Sequence, residues 1–369
     1  MPGRAQTRHG GADTGSLGVA RRPRAWTGGR RSSWVGLLVA VVALVLLPST
    51  AFADPAGPTD YLSEVRSIEP ATPGIEVNVL GGDSFIQLQV ATGTDVIVVG
   101  YQSEDYLWFR ADGTVLENRN APSTYTNDDR FGGAVPPANA TVDAEPDWEE
   151  VASGGRYSWH DHRAHWMQTI RPAGKQVGDQ IVEGVIPLVV DGSEVDVTVI
   201  STWQPEPSPA SAIGGAAAGV ALVGAAVWAW RSKRHWVVAA VPLALLALVA
   251  GVLQYVSLPS ETGPRFVWWV LPAIAVVAAT VGVVTERRGS GFAAKAAALV
   301  VGVQLVVWGV IKRDGLTAAL IPSDAPGWLD RLATASAITG GAAFAVFALF
   351  TLFGPQDPGP SGGDRSATT

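Results

Sequence analysis

With 369 residues, 47% of them hydrophobic and only 16% charged, the chain is too apolar for a purely soluble protein and long enough for two or three domains. Cysteine is absent, which excludes disulfides, thiolate metal ligands, iron–sulfur clusters and cysteine nucleophiles together. The net charge of −7 conceals a division: residues 54–207 hold 25 acidic and 8 basic side chains (8 − 25 = −17), a balance that repels phosphates and argues against nucleic acid.

Residues 1–53 read as a cytoplasmic basic segment and signal peptide. Seven arginines face the single acid Asp13 in a Gly/Ser-rich context that cannot build a core. The apolar run from Trp34 to Leu47 is shorter than the ~20 residues of a spanning helix. Ala51-Phe52-Ala53 then has the small-residue spacing of signal-peptidase cleavage before Asp54. Ser32 and Ser33 stand where a twin-arginine signal wants a bulky apolar residue, so general secretion is predicted.

Residues 54–207 are predicted to form an extracytoplasmic acidic domain, an antiparallel β-sandwich of Ig-like type. Alternating or β-branched runs at 75–80, 85–90, 96–101, 106–110, 185–190 and 195–203 are separated by turn signals such as Asp112-Gly113 and Asp191-Gly192. Pro187 inside one run suggests an edge strand or a bulge. Between Asn118 and Trp148 the pattern lapses, but Tyr125 and Phe131 predict an ordered loop lying on the sandwich. No calcium-loop spacing is present.

After the stiff linker Pro205, Pro207, Pro209, residues 208–353 are predicted to be a transmembrane bundle. Five apolar runs, near 210–230, 236–256, 266–285, 292–311 and 332–353, approach the length of a bilayer span. The basic loops Arg231-Ser232-Lys233-Arg234 and Glu286-Arg287-Arg288 belong in the cytoplasm by the positive-inside rule, which leaves the acidic domain outside and the polar tail 354–369 disordered and cytoplasmic. Ionisable residues, the usual mark of a transport path, are nearly absent from the spans, so a scaffold is predicted. Gly215 and Gly219 match the G-x-x-x-G spacing of close helix packing, and Trp228, Trp230, Trp236, Trp268 and Trp269 sit near span ends, where indole rings favour the interface.

The least ordinary stretch is Tyr157–Met167, YSWHDHRAHWM, which gathers three of the five histidines and one of the two methionines. Extended, it would put His160 and His162 on one face; turned after His162, it would bring His162 and His165 together. Either geometry supplies two imidazoles, and His160, His162, His165 and Met167 are the candidate metal ligands, copper first and zinc second. Equally, Asp161 and Arg163 would pair to fix the backbone, with Trp159 and Trp166 as core. The motif overlaps H-x-H-x-D-H of metallo-β-lactamases, but Ala164 replaces the Asp; it overlaps the cupin H-x-H, but the following Glu is missing. With no G-x-S-x-G elbow and no nucleophile–base pair, a non-enzyme is predicted.

YSWHDHRAHWM, the preceding STYTNDDRFG and the leading GIEVNVLGGD resemble a group of actinobacterial exported membrane proteins that carry W-H-D-H-R-x-H-W-M in a β-domain ahead of membrane helices. The resemblance covers residues 70–205 and implies a layout, not an activity. In that layout such proteins are similar to exported copper-handling modules, although the N-terminal histidine those modules use is replaced by the predicted mature start Asp54. Two functional expectations follow: a membrane-anchored domain that binds a transition metal in a binding or delivery role, with envelope proteins or metal chaperones as partners, or an envelope structural or interaction module whose His/Trp motif is packed core.

Overall fold

The computed structural model describes residues 55–354; the predicted signal segment and the tail beyond Gly354 lie outside the described residues. Ten strands come first: β1 (Tyr61–Glu69), β2 (Ile75–Leu80), β3 (Phe85–Val90), β4 (Val96–Val99), β5 (Asp105–Phe109), β6 (Val115–Asn118), β7 (Trp148–Ala152), β8 (Arg156–Trp159), β9 (Gln180–Val190) and β10 (Ser193–Trp203). A short helix, α1 (Pro122–Thr126), interrupts them. All paired strands are antiparallel, in a seven-stranded sheet ordered β1-β10-β9-β4-β5-β6-β7 and a three-stranded sheet ordered β2-β3-β8.

Alternation builds the sandwich. Val195, Val197 and Val199 of β10 point inward between outward polar residues, and Ile86, Leu88 and Val90 of β3 do the same from the facing sheet. They meet Tyr106, Leu107, Phe109, Ile186 and Leu188 in one continuous core. The Asp191-Gly192 turn takes positive φ at both residues, 47° and 80°, as a two-residue primed hairpin requires. The outer strands carry charge, Glu149 and Glu150 on β7 and Glu64 and Arg66 on β1, which discourages pairing with another chain.

Pro187 does not mark an edge strand or a bulge: β9 is an interior strand, flanked by β10 and β4. It is tolerated because β4 is short. The β4 ladder ends at Val98 opposite Leu188, and Pro187 lies one step further along, where it has no N–H to offer the Val99 carbonyl. The Arg163 guanidinium occupies that position instead, with Nη1 3.0 Å from the Val99 oxygen.

Five helices follow, each long and apolar enough to cross a membrane: α2 (Ala210–Arg231), α3 (Ala240–Val256, extended to Val237 by a 3₁₀ turn), α4 (Val267–Arg287), α5 (Gly291–Ile311) and α6 (Gly327–Phe353). The chain is a multi-pass membrane protein. α6 starts five residues earlier than its apolar run, because the buried Asp330 and Arg331 find partners in place: Asp330 pairs with Lys312, and Arg331 donates to the carbonyls of Gly315, Ala318 and Ala319. It is also the hub, packing along α2, α3 and α5. The G-x-x-x-G pair lies on this crossing, where a β-carbon on Gly215 would stand 2.2 Å from the Leu332 oxygen and one on Gly219 would stand 2.8 Å from the Gly340 nitrogen. Trp236 and Trp268 depart from the interfacial expectation and are buried, Trp236 against Phe344 and Phe347, Trp268 beneath the β-domain.

The β-domain sits on the end of the bundle that carries the turns after α3 and α5. Thr59 and Leu320 form a two-bond β-bridge (3.1 and 2.8 Å), and the Asp60 carboxylate accepts the Ala319 N–H at 3.0 Å. Ser158 donates to Glu261 at 3.3 Å, and Ala56 and Phe85 pack on Leu258 and Trp268. By the up-and-down path of the helices, the basic turns 231–234 and 286–288 fall at the opposite end.

Candidate functional site around the histidine motif

The motif is neither extended nor helical. β8 ends at Trp159, and the chain then reverses in a turn closed by the Ala164 N–H donating to the Asp161 carbonyl at 3.0 Å. The turn is pressed against β9 at Gly184, where a β-carbon would stand 2.0 Å from the Arg163 oxygen, so only glycine admits this approach. From β1, the Ser63 hydroxyl donates to the Ala164 carbonyl at 2.6 Å.

The reversal sends the histidines in different directions. His160, buried, stacks on Phe85 with ring centroids 4.1 Å apart, and its Nδ1 donates to the Ser84 carbonyl at 2.5 Å. His162, half-buried, stacks on Tyr101, donates its backbone N–H to the Tyr101 hydroxyl at 2.8 Å, and directs Nε2 at the Asp129 carbonyl at 2.8 Å. His160 and His162 therefore do not share a face, because the strand that would have aligned them stops at Trp159.

His165 is different again. It is 1% exposed, and Nδ1 donates to the Trp166 carbonyl at 3.2 Å, which leaves Nε2 with the lone pair. That Nε2 is buried without a hydrogen-bond partner. Burial, reinforced by the nearby Arg130 guanidinium, holds the imidazole down at about 3, so the ring is neutral at physiological pH. Its ring meets His162 edge to face, centroids 5.6 Å apart. Met167 also approaches His162: a β-carbon at Gly132 would be 3.2 Å from both the His162 Cε1 and the Met167 Cε. The structure thus brings His162, His165 and Met167 into one neighbourhood and turns His160 toward Phe85. Among the described residues, no three His, Asp or Glu side chains stand where they could hold one metal ion.

Between the histidines runs the Asp161–Arg163 pair. Asp161 Oδ1 accepts from Arg163 Nε at 2.8 Å and from the Arg163 backbone N–H at 3.1 Å; Oδ2 accepts from Nη2 at 2.7 Å and from the Trp159 indole at 3.1 Å. Burial pushes the Asp161 carboxyl up, but the Arg163 guanidinium outweighs it and holds the group below the usual carboxylate range. The Arg163 guanidinium also covers the Tyr101 ring at 4.8 Å. Trp159 is core as expected, whereas Trp166 is only half-buried and donates to the Ile170 carbonyl at 2.8 Å.

Residues outside the motif complete the site. Arg130 pairs with buried Asp83 at 2.6 Å and reaches the Ser84 hydroxyl, while Tyr101 donates to Asn127. Asn127, Asp129 and Arg130 belong to the loop that its aromatics predicted to lie on the sandwich, and the turn between β2 and β3 supplies Asp83. What local pattern could not indicate is that these two turns converge on one histidine cluster.

The fold and site define a multi-pass membrane protein with a β-sandwich domain seated on one end of a five-helix bundle. No protein-family model matches the chain, and neither the curated proteins nor the solved structures contain a match to it.

Proposed function

We propose that the protein is a non-enzymatic envelope module, a β-domain mounted on the outer face of the membrane for interaction with other envelope components, in which Trp159, His160, Asp161 and His165 of the His/Trp motif are packed core. The observation that carries this reading is Asp161: it is 1% exposed, and both its oxygens are engaged by Arg163, Trp159 and the turn's own backbone. Such a carboxylate braces a turn and has no coordination left to give. The outward placement rests on the basic turns at the far end of the bundle. Melting the detergent-solubilised chain with chelator present tests the reading: His160→Ala and Asp161→Asn should each lower the melting temperature without any metal, and unchanged melting in both would sink it. Reporter fusions at Ser208 and Asp357 should report opposite sides of the membrane.

A second reading, a copper site with zinc next, is favoured by one observation, the buried, partnerless Nε2 of His165. Its Nδ1–H donates to a backbone carbonyl, the arrangement that orients a metal-ligating imidazole. His162 and Met167 would be its companions, with His160 a supporting residue and not a ligand. One copper or zinc ion per chain should then raise the melting temperature, and the effect should vanish in His165→Ala and His162→Ala while surviving in His160→Ala. A wild-type chain that shows no metal-dependent shift removes this reading and leaves the first intact.

A further inference from the structure

Beside the motif, where the β-domain meets the bundle, separate stretches of chain line a cavity of about 410 Å³: 58–61, 130–131, Trp166, 168–169, Arg171, Glu206 and 317–318. The volume is that of a small-molecule site, and the place, a junction between two structural units, is where such sites concentrate. We propose that this cavity binds a glycosyl group, a neutral polyhydroxylated ring.

The charges on the walls decide the ligand class. Arg130 is held by Asp83 at 2.6 Å, and Arg171 lies between Glu206 at 3.1 Å and Asp60 at 3.9 Å. Every guanidinium lining the cavity has a carboxylate beside it. An anion would therefore meet Asp60 and Glu206 without an uncommitted cation to receive it, and a metal ion would meet Arg130 and Arg171. A wholly apolar ligand would strip water from these pairs with nothing to replace it. Sugar hydroxyls suit them: each both donates and accepts, so a vicinal diol can engage a donor and an acceptor fixed side by side.

The remaining walls supply apolar area. Tyr61, Phe131 and Trp166 line the same cavity, and Phe131 is 46% exposed although it is held on an ordered loop by the Asp129 carboxylate, which accepts its backbone N–H at 2.8 Å. The Trp166 indole N–H is already committed to the Ile170 carbonyl, which leaves the ring to make apolar contact. A pyranose has matching chemistry, with C–H faces for aromatic rings and hydroxyls around its rim. Because Thr317 and Ala318 belong to the turn between two membrane-spanning helices, the ring can be presented by a soluble saccharide or by the headgroup of a glycolipid.

The test uses the full chain in phosphatidylcholine nanodiscs, read by tryptophan fluorescence and thermal shift. One arm titrates free disaccharides of glucose, galactose and mannose; the other incorporates the corresponding monoglycosyl diacylglycerols. A saturable response in the first arm identifies a soluble saccharide, and one confined to the second identifies a headgroup. Either response should weaken at least tenfold in Trp166→Ala and in Thr317→Trp, which fills the cavity from the bundle side. Thr317 is exposed at the turn, so the second variant guards against loss of fold in the first. No response in either arm, or a response that both variants retain, overturns the proposal.

Discussion

The Asp161 carboxylate and the Arg163 guanidinium, two residues apart in the chain, meet through two parallel hydrogen bonds of 2.8 and 2.7 Å inside the β-domain. Because both groups are largely withdrawn from water, removing one partner leaves the other charged and uncompensated, at a cost of about 3–5 kcal/mol. Asp161→Asn and Arg163→Met should each produce that loss. The double variant should lose less than the sum, since neither charge is then stranded. Strict additivity in a double-mutant cycle would show that the pair does not act as a unit.

Two buried groups should shape the pH dependence in opposite directions. Burial raises the Glu117 carboxyl to about 7, against partial relief from Arg119, so its contribution to stability is present below the ordinary 4.5 and is lost as pH rises toward 7. His165, lowered from 6.5 to about 3, contributes stability that is lost as pH falls from 6.5 toward 3. Where the windows overlap, slopes of about 1.4 kcal/mol per pH unit cancel. Glu117→Gln should therefore gain on wild type as pH rises through that window, and His165→Gln should gain on it as pH falls. Parallel melting curves for wild type and either variant across the window would contradict the assignment of that group.

The α2–α6 crossing has no room for a side chain at Gly215 or Gly219. Gly219→Ile should force the helices apart and destabilise the bundle by about 1–3 kcal/mol or more. Gly224→Ile is the control, since a β-carbon there meets nothing within 4 Å and the substitution should be nearly neutral. Equal melting temperatures for the two variants would show that the crossing is looser than described.

Expressed alone, residues 54–207 should fold, because the sandwich core is drawn entirely from residues within that range. The fragment would nevertheless expose Phe85 and Ala56, which the intact chain covers with Leu258 and Trp268. It should give a β-type circular dichroism spectrum and a cooperative melt, together with a tendency to associate that Phe85→Ser relieves. A fragment without a cooperative melt would mean that the bundle contributes to the core.

Legibility in the sequence followed burial. The six predicted strand runs lie on real strands, because inward-facing Val, Ile and Leu leave a period on the chain, and the five spans match their helices to within five residues, because a bilayer-long apolar run is itself the signal. β1, β7 and the short β6 and β8 left little trace. Tyr61–Glu69 and Trp148–Ala152 are outer strands whose charged residues face water, and the four residues of Val115–Asn118 and of Arg156–Trp159 are too few to show alternation. The motif was legible as an anomaly but not as a geometry. Whether His160 and His162 align depends on where β8 stops, and that is set by Gly184 on β9 admitting the turn and by Ser84 and Phe85 receiving His160, contacts separated by tens of residues. Pro187 was read by a local rule that the unequal lengths of β4 and β9 override.

The Thr59–Leu320 bridge joins positions 261 residues apart and gives the β-domain a second mount. A plate hung only from the linker that enters α2 would swing like a flag. Pinned as well at Leu320, and touching the α3–α4 turn through Ser158 and Glu261, it is seated on a tripod. Any force on the β-domain would therefore bear on the ends of α3, α5 and α6 as well as on the linker.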